Sequence, residues 1–389
     1  MATAARTVPT LVTGYRAPEN TLTARVIADV SKTIYLYQPS SNPFTAIVGH
    51  LRKRRKATQY RFDWIEKDEY PREATIVSDG ATTLTFGTGE GSRFPAGSVL
   101  LNTRTREQVL VTTAAATTPT VTRAIGSTQS TMTAGDICVL TRVVAEDGAT
   151  IGTLTSIAEA GIYNYTEIQR WPFGWTGRQV NTDMYGGSDV DLERKVAGIE
   201  HAKNIEQMFL FGGRHTMTGT HIRSMSGGLE YFIKSNYWNL AGKRPTERAF
   251  VEFLEEAMRW GKGGRQNGSG TKWLFHSARW GTEIEFWAKD RLEMKSLEKV
   301  MGLKIKKYVT TQGTIMLVST PALDYNHPDM AFLVDLNHIR YVYHQGRDTK
   351  LLKGREQPSA DAREEEYFSD IGVEVQLEGA HAILKGIPV

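Results

Sequence analysis

The sequence is poor in cysteine, in long apolar runs and in excess charge of either sign. A single cysteine, Cys138, among 389 residues excludes an intramolecular disulfide and a cysteine-rich zinc site, and is compatible with a reducing compartment. No apolar stretch reaches the roughly 20 residues of a membrane-spanning helix, and the opening MATAARTVPT lacks the hydrophobic centre of a secretory signal. Lys and Arg total 47 against 43 Asp and Glu, a net charge of only +4. A dedicated nucleic-acid binder usually carries a pronounced basic excess. A balanced surface suits a protein that packs against copies of itself.

Catalytic patterns are missing too. Gly264 to Lys272 reads GRQNGSGTK. A phosphate-binding loop needs lysine directly after its last glycine and a strand leading in. Here the order is Thr-Lys and a helical pattern precedes it, so the stretch reads as a connector. GTGEG at Gly87 to Gly91 opens no helix that could hold a pyrophosphate and reads as a turn. Glu200-His201 has Ala197 where an inverted zincin motif needs histidine, so His201 reads as a polar residue on a helix face. His381, in GAHAILKG, reads as a core or interface histidine. No GxSxG elbow occurs. No catalytic residue, cofactor or metal is expected.

What is present is length, enough for two or three cores, and patterning. Ile162 to Gly213 is the richest stretch. Its first half is an aromatic, extended run, IYNYTEIQRWPFGW. Its second half opens on Ser188, a helix-capping type, with Asp189 and Asp191 in the first turn to complement the helix dipole. Leu192, Val196, Ile199, Ile205 and Phe209 predict one buried stripe, and Gly212-Gly213 predicts a left-handed helix stop. Gly198 inside the helix costs about 1 kcal/mol relative to Ala, which implies that another element approaches closely there.

Around this helix the pattern changes several times. Residues 1–50 are rich in Thr, Ala and Pro, with scattered Val26, Ile27 and Ile34, and read as an arm with little core of its own. Tyr60, Phe62 and Trp64 alternate with Gln59, Arg61 and Asp63, a two-faced strand. Residues 80–145 lose helical period and show short Val- and Thr-rich strands between turns, which predicts a small β-sandwich or barrel. A helix is expected over Thr246 to Trp260, stopped by Gly261. Ser277 caps another to about Leu292, and strands surround it at Trp273–Phe275, Lys304–Thr310, Ile315–Ser319 and Ala331–Leu336. After a polar segment, Val373, Val375 and Leu377 alternate with Glu374, Gln376 and Glu378 as a closing strand. No internal repeat is visible.

IYNYTEIQ, the long helix ending in LFGG, and SGGLEYFI (Ser226 to Ile233) resemble the major capsid proteins of tailed phages, most closely the SU-10-like major head protein family. FDWIEKDEYP (Phe62 to Pro71) is similar to that family's extended-loop strand, and GVEVQLEGAHAILKGI (Gly372 to Ile387) to its closing strand. The blocks occur in the expected order after about Leu51. The resemblance implies an α+β fold of the Hong Kong 97 (HK-97) type. Its parts would be an N-terminal arm (1–50), an extended loop (51–79 and 146–180), a peripheral domain with a long spine helix (181–262 and 365–389) and an axial domain (263–364). The β module at 80–145 would be inserted in the extended loop. It also implies self-assembly into hexamers and pentamers of an icosahedral shell around double-stranded DNA, in the virion and in the host cytoplasm where it forms. Portal, scaffolding or decoration proteins would be further partners, and no membrane is involved. Two other readings stay open. An encapsulin-type compartment would enclose cargo enzymes instead of DNA, and a mixed α/β enzyme would turn over a substrate as a monomer or small oligomer.

Arg52-Lys53-Arg54-Arg55-Lys56 is the strongest charge feature. Such a run repels itself and needs a use or exposure. It can touch packaged DNA phosphate, it can pair with an acidic surface of a neighbouring subunit, or it can be the solvated base of a loop. Glu364, Glu365 and Glu366 are the candidate acids, and the balanced net charge tips the choice slightly toward subunit contact. Tyr60, Phe62 and Trp64 are expected to be aromatic surface that a monomer leaves wet, which marks an interface.

Overall fold

The computed structural model describes residues 42–50, 53–148, 156–182, 189–261, 270–287, 292–293 and 305–388. Most of the expected arm, including Val26, Ile27 and Ile34, lies outside these residues, as do Arg52, Ser188 and the glycine connector 262–269. The chain forms two compact units, residues 63–162 and residues 1–62 with 163–389.

The unit at 63–162 is a β module. Its strands lie in the order Leu84–Phe86, Glu73–Asp79, Ile137–Val143, Ser98–Asn102, Gln108–Thr113, Thr120–Thr122, all antiparallel. The two outer strands also meet. Val121 N–H donates to the Thr82 carbonyl at 2.7 Å, and Phe86 N–H donates to the Thr117 carbonyl at 2.9 Å. The sheet therefore closes on itself as a small barrel, which leaves no open edge. Alternation sends Ile76, Leu84, Phe86, Leu100, Val109 and Val111 into its core. Arg123 bridges Glu107 at 2.8 Å and Asp79 at 2.5 Å. Burial pushes the Cys138 thiol up to about 12. The module is longer than the 80–145 expected, because Glu73–Asp79, assigned to the extended loop, supplies its second strand. The GTGEG turn leads into a short 3-10 helix, Glu90–Arg93. The chain enters and leaves through Arg61–Glu66 and Ala160–Tyr165, which pair as a two-stranded sheet.

The other unit is built on two sheets. In the first, Arg54–Ala57 runs parallel to Ile339–His344, which pairs antiparallel with Ala362–Val375. That strand also pairs with Glu167–Thr176 and with Lys350–Lys353. The second sheet has the order Tyr237–Asn239, Ala382–Lys385, Ala331–Val334, Thr271–His276, Gly313–Ser319, Ile305–Thr310, Leu292–Glu293. Ala382–Lys385, expected in the peripheral domain, thus lies inside the sheet expected to be axial. Ile339–His344, expected to be axial, pairs with the strand expected to be peripheral. The divisions at 262/263 and 364/365 follow no sheet boundary.

Thr246 Oγ1 caps Glu247–Ala257 by accepting from Ala249 N–H. Phe250, Leu254 and Ala257 of that helix share a core with Trp280 and Ile284 of Ala278–Trp287. The latter helix is described to Trp287, and Leu292, where its end was expected, is a strand residue. Lys272, the lysine of the tested phosphate-loop pattern, is fully buried and donates to the Ala257 and Ala380 carbonyls, each at 2.7 Å. Burial brings its ammonium down to about 8. It closes the carboxyl end of a helix, where a cation is favoured.

The long helix is Asp189–Phe211, with Asp189 and Asp191 in its first turn. Ile205 and Phe209 are buried as expected, but Leu192, Val196 and Ile199 are only half-buried. In that part the inward positions are Ala197 and His201, one turn apart. His201 is buried, not on an open face. Its Nε2 meets Ser369 Oγ at 2.6 Å, and its ring stacks on Tyr367. Gly198 is where Tyr367 comes closest: a Cβ there would lie 3.2 Å from the Tyr367 hydroxyl. Gly212 ends the helix without a positive φ. Its role is close approach, since a Cβ would strike the carbonyls of Ser226 and Met208.

Candidate functional site

The basic run is a strand, not a loop. Alternation along Arg54–Ala57 turns Arg55 and Ala57 inward and leaves Arg54 and Lys56 exposed. Lys53 Nζ donates to the Leu336 carbonyl and to Asn337 Oδ1, both at 2.9 Å. Arg54 pairs with Asp348 at 3.1 Å and lies over the Tyr341 ring. Arg55 pairs with the fully buried Glu374 at 2.6 Å, and its guanidinium lies 5.8 Å from the Phe62 ring. Three of the five cations are therefore held inside the chain.

The expected acids are held there as well. Glu365 accepts from Nε and Nη2 of Arg194, at 2.7 and 2.6 Å. Glu366 does the same with Arg170, at 2.8 and 2.7 Å, and takes Arg355 at 3.2 Å. Arg194 and Arg170 are the main reasons the two carboxyls titrate below their usual range. Glu365 and Glu366 are 7% and 5% exposed, so they are engaged before any neighbour could reach them. The segment read as polar lies in the first half of Ala362–Val375, flanked by strands on both sides. Among the three acids only Glu364 is exposed. Asp370 of the same strand pairs with Arg347 at 2.8 Å, so this strand carries four buried carboxylates, each matched by an arginine from another element.

The aromatic expectation is corrected in part. Phe62 and Trp64 are 5% and 7% exposed, and Trp64 Nε1 donates to Glu66 at 2.7 Å. They are inward residues of Arg61–Glu66, whose outward positions include Arg61, Asp63 and the exposed Ile65. Tyr60 is 44% exposed and stacks on Tyr165. Leu377, expected as an apolar strand position, is exposed and takes a left-handed φ of 51° beyond the strand's end.

The sequence reading gave no role to Glu206. It is fully buried, and its carboxylate accepts Phe44 N–H at 3.0 Å, Thr45 N–H at 2.8 Å and Thr45 Oγ1–H at 2.5 Å. It caps the helix Pro43–His50, whose Phe44, Ile47 and Val48 belong to the main core. Residues 43–50 are therefore not part of a core-less arm. Burial raises the Glu206 carboxyl above its ordinary range.

Two open clefts flank the long helix, of about 500 and about 290 Å3, and share Asn204 and Gln207. The smaller one is lined in part by Lys203, which pairs with Glu200 at 2.8 Å. Among the described residues no cluster of His, Cys, Asp and Glu could hold a metal ion, and no helix is long and apolar enough to cross a membrane.

The sequence profile of the SU10 major capsid protein matches residues 11–388. The chain belongs to the SU10 major capsid protein family. The chain is also similar in structure to the capsid of a native GTA particle, at 11% identity over 94% of this chain and 96% of that one, with a TM-score of 0.49. Similarity to Gordonia phage Cozz has 11% identity over 93% and 92%, with a TM-score of 0.48. Similarity to the SrpI encapsulin of Synechococcus elongatus is lower, at 8% identity over 60% and 78%, with a TM-score of 0.41. No curated protein matches in sequence. The family assignment rests on the profile, which covers both units, and makes the chain a major capsid protein of the tailed-phage type.

Proposed function

We propose that copies of this chain join as hexamers and pentamers into an icosahedral head that encloses double-stranded DNA. The work is assembly, with no catalytic step. The observation that carries the reading is the capsid-family match across residues 11–388. The same match favours a viral head over an encapsulin compartment, a distinction that fold likeness alone does not make. Portal, scaffolding or decoration proteins would complete the particle, which would assemble in the host cytoplasm.

Within that reading, Lys56 and the outward side of Arg54, which is already paired with Asp348, are what the described part of the basic run offers for contact with a neighbour or with DNA. Glu364 is the acid left exposed for it. Each such contact is weak. Multiplicity within a shell makes the sum strong, because a subunit held at one place finds the next contact at high effective concentration. Electron microscopy of the purified chain tests the proposal. Closed shells or capsomers are expected, and a monodisperse monomer at high concentration in near-physiological buffer would sink it. Charge reversal of Arg54 and Lys56 should then impair empty-shell formation if they face a neighbour. It should impair only filled particles if they face DNA.

A further inference from the structure

A second set of cations in the larger unit is built differently. The Arg61 guanidinium lies 4.1 Å from the Tyr163 ring centre, and the Arg214 guanidinium lies 3.9 Å from the same ring. Arg214 also lies 5.0 Å from Tyr231, and the Lys234 ammonium lies 5.8 Å from Tyr231. Tyr165 meets Tyr163 edge-on and stacks on Tyr60. The result is an alternating ladder of rings and cations. Ring stacking fixes the long side chains, so less freedom is lost when they bind.

The ladder borders a stretch without acids. No Asp or Glu occurs between Gln207 and Leu229. Arg223 stands exposed there in the hairpin of His215–Met217 and Arg223–Met225. Two carboxylates close to the ladder are turned to backbone donors. Glu167 accepts Ser226 N–H at 3.0 Å, and Glu378 accepts the backbone N–H groups of Lys234 and Ser235. Among the described residues Arg214, Arg223 and Lys234 form no ion pair with a carboxylate. Arg54, Arg55, Arg170, Arg194, Arg347 and Arg355 all do. Arg214 and Lys234 bond only to carbonyls, those of Tyr163 and Glu230.

We propose that this ladder, with Arg223, is a binding face for the phosphate backbone of duplex DNA. Positioned guanidinium, ammonium and tyrosine hydroxyl groups are the usual donors to phosphate oxygens. Two guanidinium groups are held against the Tyr163 ring, which closes that ring to the base stacking that single strands exploit, and Tyr60 already stacks on Tyr165. The face is therefore indifferent to sequence and prefers duplex. This deepens the shell reading, since the polyanion would be the packaged genome.

The test is binding of a short random-sequence DNA duplex to the unassembled full-length chain across a salt series, beside microscopy of empty shells. Arg223→Gln with Lys234→Gln removes two exposed cations without touching the Tyr163 stack. The salt dependence of log Kd should become shallower by about 2, with empty shells unchanged. An unchanged slope overturns the proposal. So does loss of shells at an unchanged slope, which would make the face a subunit contact, and so does tighter binding of a single strand than of duplex. Failure of the unmodified chain to form shells would refute the head assembly while leaving the slope comparison intact.

Discussion

Glu206 holds Thr45 by its backbone N–H at 2.8 Å and by its hydroxyl at 2.5 Å. These residues are 161 positions apart in the chain, so the long helix supplies the cap of a short helix far earlier in the sequence. A buried carboxylate without a cation is tolerated here because it takes three hydrogen bonds at the positive end of a helix.

Removing this cap has a defined cost. Glu206→Ala should destabilise the subunit by about 1–3 kcal/mol, since buried N–H donors lose their acceptor. Glu206→Gln should cost less, because one oxygen remains. Amide exchange at Phe44 and Thr45 should accelerate in both variants. Exchange unchanged from the parent would refute the capping role.

The arginine–carboxylate pairs of Ala362–Val375 predict an acid limit. The folded carboxyls of Glu365 and Glu366 are lowered, first by Arg194 and Arg170 respectively. Their contribution is fully present above the ordinary carboxylate pKa and is lost as pH falls through the lowered values. Arg194→Met, which strands Glu365, should cost about 1–3 kcal/mol at neutral pH and much less in acid. Denaturant melts at neutral and acid pH check this, and an equal loss at both would count against the pairing.

His381 adds a second acid-sensitive group. It is fully buried. Asp335 N–H donates to its Nδ1 at 3.2 Å, so its Nε2 carries the proton and donates to the Gln376 carbonyl at 3.1 Å. Burial drives its folded pKa down to about 3. The unfolded chain therefore binds a proton that the folded chain refuses between roughly pH 6.5 and that value. Stability should be complete above that window and fall by up to about 1.4 kcal/mol per pH unit within it. His201 is displaced in the same direction by burial. The ring nitrogens should show no imidazolium in nuclear magnetic resonance at pH 5, and a protonated His381 there would contradict the assignment.

Gly198 and Tyr367 offer a steric test. Gly198→Ala should change stability by less than about 1 kcal/mol, since the gain in helix propensity offsets a tight Cβ contact. Gly198→Leu should cost about 1–3 kcal/mol by displacing the Tyr367 ring. Equal stability of the Leu and Ala variants would show that Tyr367 does not confine this position.

The barrel can be excised at its own boundary. Replacing residues 67–158 with a short Gly/Ser turn joins the paired strands Arg61–Glu66 and Ala160–Tyr165. The remaining unit should still unfold cooperatively, as followed by circular dichroism. Loss of the cooperative transition would mean that the barrel is required for that unit to fold.

Local patterns in the sequence located what local physics controls. The alternation at Phe62 and Trp64, the helix expected from Thr246 and the close approach at Gly198 were legible because neighbouring residues encode them. The fates of Glu365, Glu366 and Arg55 were not. Their environment is set by partners such as Arg170, Arg194 and Glu374, far away in the sequence, and a run of like charges looks the same in a solvated loop as in a sheet that neutralises it. His201 was misread for a related reason. A histidine in a helix looks outward by polarity, and only the hydroxyl of Ser369 beside it makes its burial tolerable. The cation–tyrosine ladder left one trace, the aromatic run at 162–165, but its cations come from three separate segments.

The parallel pairing of Arg54–Ala57 with Ile339–His344 bears on when the protein can fold. Lys53, Arg54 and Arg55 meet Leu336, Asp348 and Glu374, all made long after residues 53–57 have left the ribosome. Closing so large a loop is slow relative to local structure. The basic strand must wait, unpaired, for nearly the whole chain to be synthesised. A nascent chain therefore cannot display the finished sheet before Glu374 has been made.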